Sequence, residues 1–302
     1  MPEYGSVQRH PLMSLFYLVI FIILGYALSS MLAIAVLFMI NGGSMASPAN
    51  MSSKGSLLLM QSIVSIGSFI APPLALHQFE KRSGSEYLKF GGKISGRVII
   101  LTVILMFSIA PYIDWTVKIN QMMDLPAFME GLERWMREKE RELAELTKHL
   151  LTMKSPADLM INLVVVAVIP AIGEEFLFRG CFQTIITRIT RNQHLGIWLA
   201  AAIFSAIHIQ FLGFFPRMFL GALFGYIFVW SGSIWPAVLA HFVNNATAVI
   251  SAYVMQLKGK SLDSMDNTST SLLEASVSLS FALLICYTIF KISKQKKEVL
   301  ND

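Results

Sequence analysis

From Pro11 to Ser53 the chain carries no lysine, arginine, aspartate or glutamate. A soluble domain can bury one apolar helix, but a charge-free run of this length leaves no face for water. Composition agrees, with 55% hydrophobic and 14% charged residues over 302 positions, against about 25% charged in soluble domains. Mean hydropathy is +0.60. These values exclude a soluble enzyme, a disordered chain and a secreted disulfide scaffold. The first run is also too long for the apolar part of a cleavable signal, so it reads as a retained span. The expected class is an all-α, polytopic transmembrane bundle, an integral membrane protein of the cell membrane if the source is bacterial. The net charge of +5 then reports loop topology rather than a nucleic-acid partner, and none is expected. Cys181 and Cys286 lie in or beside apolar runs and read as small buried residues.

Eight apolar segments can reach the roughly 20 residues that a crossing helix needs. They are 12–40, 56–79, 97–116, 157–187, 195–210, 212–231, 233–256 and 271–292. Between about Leu125 and Lys154 the pattern changes to dense charge, with Phe128, Leu132, Met136, Leu143, Leu146 and Leu150 at helical spacing. Glu130→Arg134 and Glu133→Arg137 are favourable i,i+4 pairs. This segment reads as one amphipathic surface helix, on the membrane or over the bundle. The chain therefore divides into N-terminal spans with that segment (1–156), a polar-bearing core (157–256) and a last span with a basic tail (257–302).

Orientation follows from the loop cations. The inner segments hold Arg9; Lys81, Arg82, Lys89, Lys93 and Arg97; Arg188 and Arg191; and Lys291, Lys294, Lys296 and Lys297. The outer loops hold Lys54, Arg217, Lys258 and Lys260, with the cations of the amphipathic segment matched by acids. An even number of spans then places both termini in the cytoplasm.

Ionisable residues inside spans are expensive and mark functional sites. The fourth span reads Gly173-Glu174-Glu175-Phe176-Leu177-Phe178-Arg179 just after Pro170, which should kink the helix. Glu175 and Arg179 are an i,i+4 pair. The i+4 neighbour of Glu174 is Phe178, which leaves Glu174 as the carboxylate free for base chemistry. The fifth span carries Phe204 and His208; the seventh carries His241 with Asn244 and Asn245. At 1.5 Å per residue, Glu174 lies roughly 21 Å before Arg188, His208 roughly 20 Å after Leu195 and His241 roughly 12 Å after Ser233, so the three occupy overlapping depths. One carboxylate and two histidines also form a His₂Glu set of the kind that holds zinc with an open position for water, although no H-E-x-x-H pair is present.

The motifs E-E-x-x-x-R at Glu174–Arg179, F-x-x-x-H at Phe204–His208 and H-x-x-x-N at His241–Asn245 resemble, in order and spacing, the CAAX prenyl protease and bacteriocin-processing (CPBP, or Abi) family of intramembrane proteases, related to the Ras-converting CAAX endopeptidase. The resemblance covers about 157–256. It implies an eight-helix bundle with a cavity open to the cytoplasm and peptide-bond hydrolysis inside it. Carried over, Glu174 and His208 activate the attacking water, His241 and Asn245 hold the oxyanion, and Glu175, Arg179 and Phe204 shape the site. The family is described both as metallo- and as glutamate-type protease, so the cofactor is either one divalent metal (zinc, on Glu174, His208 and His241) or none. The implied partners are membrane lipids and a peptide or protein substrate, lipidated in the eukaryotic relatives. Two other functions use the same residues. A proton-coupled transporter is disfavoured because the polar residues crowd into the C-terminal half. A non-catalytic immunity or scaffold member would keep the fold without turnover.

Overall fold

The computed structural model describes residues 9–44, 48–80, 87–91, 94–262 and 270–299. Lys81, Arg82 and Lys93, which enter the orientation argument, lie outside the described residues. These residues are helical throughout, with no strand among them. The long helices are α1 (Pro11–Ile40), α2 (Lys54–Glu80), α3 (Gly96–Gln121), α4 (Glu130–Leu151), α5 (Pro156–Thr190), α6 (Gln193–Ala206), α7 (Phe214–Ser231), α8 (Trp235–Leu257) and α9 (Leu272–Val299).

Seven of the described helices are long and apolar enough to cross a membrane, and α4 and α6 are not among them. The expected fifth span, 195–210, is corrected at its end, because the helix stops at Ala206. Helix α6 has only 14 residues, a rise of roughly 21 Å. The chain leaves the helix at Ile207 and turns through Ile209, whose φ of 55° is left-handed. A β-branched residue there costs roughly 1–2 kcal/mol, which is held by the anchoring of the turn described below. Hydropathy could not show this break, because 207–215 is as apolar as the helices on either side.

Two spans are wound unevenly. Helix α2 contains a π turn at Ile66–Ile70 just before Pro72 and Pro73, and α5 contains π turns at Leu163–Val168 and Phe176–Gln183. A π turn adds a residue to the ring, and the turns at Ile66–Ile70 and Leu163–Val168 lie just before Pro72, Pro73 and Pro170, which have no N–H to donate. Against the α2 turn lies Gly173 of α5, where a Cβ would stand 2.8 Å from Phe69 Cβ. Only glycine permits this approach, and it directs the two following glutamates toward α8.

In the packing order α1 lies on α2, α2 on α5, α5 on α6 and α8, α6 on α7, and α7 and α8 on α3, while α9 packs on α3 and α7. Arg188 of α5 donates to the carbonyl of Arg9 at 2.6 Å, and Trp230 of α7 meets Phe290 of α9 with ring centroids 5.9 Å apart. Both ends of the described chain therefore lie at one end of the bundle.

Helix α4 closes the other end. Turned 100° per residue, it shows three faces: Met136, Glu140 and Leu143 partly buried on the bundle, Arg134, Glu138, Arg141 and Glu145 toward water, and an exposed apolar line of Phe128 (just before the helix), Leu132, Trp135 and Leu146. Its exposed apolar line is the face that an interfacial helix turns toward lipid. Of the two expected ion pairs, Glu133–Arg137 forms at 2.8 Å, and Arg137 also reaches Asp124 at 2.7 Å. Glu130 and Arg134 form no ion pair with one another.

Candidate active site

The side chains of the three motifs meet where α5, α6–α7 and α8 cross. Glu175 is wholly buried, and its Oε1 accepts from Arg179 Nη1 at 2.8 Å and faces Nδ1 of His241 at 2.8 Å. Arg179 is itself 1% exposed; its guanidinium lies 4.6 Å from the Phe204 ring centroid and 5.4 Å from that of Phe224. Its Nη2 donates to the carbonyl of Gly221 at 3.0 Å. A Cβ at Gly221 would lie 3.1 Å from that nitrogen and 3.2 Å from Phe204 Cδ1, so this glycine lets α7 approach the arginine. The buried charge is thus both paired and hydrogen-bonded, the condition under which an ion pair survives burial.

Glu174 points into a cavity and keeps 16% of its side chain exposed, with Oε2 3.7 Å from His241 Nε2. His241 is buried, and its ring stacks on Phe224 at 5.3 Å. With Nδ1 against an ionised carboxylate, that nitrogen carries the proton and Nε2 is left toward Glu174. His208 sits two residues beyond the end of α6 rather than on a helix, in the turn before α7. Its Nδ1 lies 2.7 Å from the carbonyl of Phe204. A carbonyl only accepts, so Nδ1 holds the hydrogen and Nε2 presents a lone pair.

Asn245 owes its place to Pro170. Proline has no N–H for the carbonyl of residue 166, and Asn245 Nδ2 supplies a donor from α8 at 3.2 Å. Its Oδ1 accepts from Asn244 at 3.1 Å, leaving one amide hydrogen for a ligand. Asn245→Asp would set a carboxylate against that carbonyl. Thermal unfolding in lipid should show a loss of about 1–3 kcal/mol, and an unchanged midpoint would contradict this bridge.

The cavity encloses about 480 Å³. Glu174, His208, His241 and Asn245 all line it, with Gln61, Asn244 and Arg217 as further polar residues. From Glu174 and His241 it runs past Val166, Ile113 and Val117 toward the α4 end of the bundle. The described ends of the chain lie at the opposite end. Arg217 is a second correction: it belongs to the wall of the site rather than to an outer loop. Its signal was present as a charge just after Pro216 within an apolar stretch. The turn carrying His208 is held by Asn120, buried on α3, which donates to the Phe211 carbonyl at 3.2 Å and accepts from the Phe215 amide at 2.9 Å. Glu140 of α4 accepts from the Leu212 amide at 3.2 Å.

A zinc on Glu174, His208 and His241 needs three donors directed at one point. Among the described residues no three His, Cys, Asp or Glu side chains are grouped to hold a metal ion. As placed, the three do not form that ligand set.

Residues 156–247 match the family model described as type II CAAX prenyl endopeptidase Rce1-like. Over 89 residues, 28% of this chain, the sequence is 30% identical to the uncharacterized protein YpbD of Bacillus subtilis (strain 168). The matched stretch covers 42% of that relative. No solved structure matches. Every motif side chain that meets at the cavity falls within the matched residues 156–247, so it is this part of an integral membrane protein that is similar to the Rce1-like CAAX endopeptidases.

Proposed function

We propose that the chain is an endopeptidase that hydrolyses a peptide bond near the C-terminus of a lipidated or membrane-associated peptide or protein. The observation that carries this reading is the position of Glu174: it is the carboxylate of the cavity wall, facing His241 and sharing the cavity with the open nitrogen of His208.

A water between Glu174 and His208 gives a proton to Glu174 as its oxygen attacks the carbonyl carbon, while His208 Nε2 accepts a hydrogen bond from it. The oxyanion is met by the remaining amide hydrogen of Asn245. His241 adds a donor only when its ring holds a second proton, and Glu174, 3.7 Å from Nε2, is placed to supply it. Collapse breaks the C–N bond, the proton goes to the leaving nitrogen, and a carboxylic acid and an amine result. A positioned base contributes about 10²–10⁴-fold, and each oxyanion donor about 10²–10³-fold. The Glu175–Arg179 pair takes no part in bond making; it fixes the His241 ring.

Comparative terminal proteomics of membranes from cells bearing native or Glu174→Gln protein tests the reading. Peptide ends that depend on the native protein are expected, and identical sets from the two would refute it.

A further inference from the structure

Arg217 differs from the other arginine of the site. It is half-buried near the start of α7, with its guanidinium in the wall of the cavity that holds Glu174 and His208. Nη1 and Nη2 donate to the backbone and side-chain oxygens of Gln210 at 3.2 and 3.1 Å. Both acceptors are neutral. Among the described residues no carboxylate forms an ion pair with it. Glu140 and Glu174 act on it only from farther away. Arg179, by contrast, is neutralised by Glu175 at 2.8 Å.

A half-buried cation with no carboxylate in direct contact keeps donors to spare, and in membrane proteins such residues mark where a ligand supplies the contacting charge. The surroundings also orient it. Gln210 grips the fork through two bonds, and the guanidinium lies against Gly213, where a Cβ would come within 3.1 Å of Nη2. A planar fork fixed before binding matches the paired oxygens of a carboxylate or a phosphate, and of these two a peptide substrate supplies the carboxylate.

We propose that Arg217 is the subsite for a carboxylate of the substrate. This rests on the endopeptidase reading above and deepens it. The carboxylate is either the terminal one of the peptide or that of an acidic side chain near the cut. In the first case the distance from Arg217 to Glu174 measures the cut from the end of the chain, and the protein becomes an endopeptidase that counts from the C-terminus.

The test uses the full-length protein in phosphatidylcholine vesicles. The probes are internally quenched peptides with a lipidated cysteine near the C-terminus, made as the free acid, as the amide, and as an amide with an aspartate beside the cysteine. The native protein is expected to prefer the free acid over the plain amide by about ten- to hundredfold in kcat/KM, chiefly through KM. Arg217→Gln should reduce that preference below about twofold, and Arg217→Lys should restore part of it, since an ammonium keeps the charge without the fork. If the aspartate-containing amide behaves as the free acid does, the side chain is the source. Equal cleavage of acid and amide by the native protein overturns the subsite. So does an equal fall in kcat for both substrates in Arg217→Gln, because Arg217 would then serve only as a charge partner of Glu174. Fluorescence polarisation with Glu174→Gln protein gives a second readout without turnover: the acid should bind at least about tenfold tighter than the amide, and equal binding refutes the proposal. Undiminished cleavage by Glu174→Gln protein would instead refute the endopeptidase reading itself.

Discussion

Glu174→Gln is expected to lower peptide-bond hydrolysis by about 10²–10⁴-fold, with most of the loss in kcat. The amide has the size of the acid and can still donate and accept hydrogen bonds, but it cannot take a proton from water. Because Glu174 lines the cavity and is not part of the buried Glu175–Arg179 pair, its replacement should leave the unfolding midpoint close to native. Activity and stability measured on one preparation therefore separate a chemical role from a structural one. A variant that retained more than about a tenth of the native kcat would exclude general-base chemistry at this position. His208→Gln should fall in the same direction, since it removes the lone pair facing the cavity.

The largest expected loss of stability belongs to Arg179→Met. The guanidinium and the Glu175 carboxylate are 1% and 0% exposed, and removing one partner leaves the other as an uncompensated buried charge. Such changes cost about 3–5 kcal/mol. The substitution also removes the donor to the Gly221 carbonyl and the cation packed on Phe204 and Phe224. Reversible unfolding in bilayers or mixed micelles measures it. Glu175→Leu combined with Arg179→Met should recover most of the loss, because no unpaired charge then remains. A single substitution costing less than about 1 kcal/mol would mean that water reaches the pair. The double variant should still be impaired in turnover, since the Nδ1 partner of His241 is gone.

The sequence made the site legible because charge inside an apolar helix has few innocent explanations. The i,i+4 spacing of Glu175 and Arg179 is their contact in the structure, and the overlapping depths of Glu174 and His241 become a 3.7 Å approach. The break after Ala206 was not legible: Ile207, Ile209 and Phe211 have the hydropathy of a continuing span, and a turn held by Asn120 and Glu140 depends on residues that are distant in sequence. The π turns were hidden for a related reason, since a local underwinding by one residue leaves α5 apolar along its length. Arg217 was counted as an outer-loop cation because the stretch from Gln210 to Arg217, with Gly213 and Pro216, reads as a connection between two spans. Asn245 shows the opposite case. Its bond to Val166 compensates Pro170, so one residue joins the integrity of a kink to the wall of the cavity.

The cavity runs to the α4 end while both chain ends lie at the other, and this separation gives the protein a direction. On the proposed endopeptidase reading, a substrate drawn along the cavity to Glu174 would come from the α4 end, and the released fragment would leave on that same side. A reporter fused to either terminus would sit across the membrane from the reaction, outside the compartment it was meant to sample. Fusions placed in the connection after α8 would share the compartment of the product.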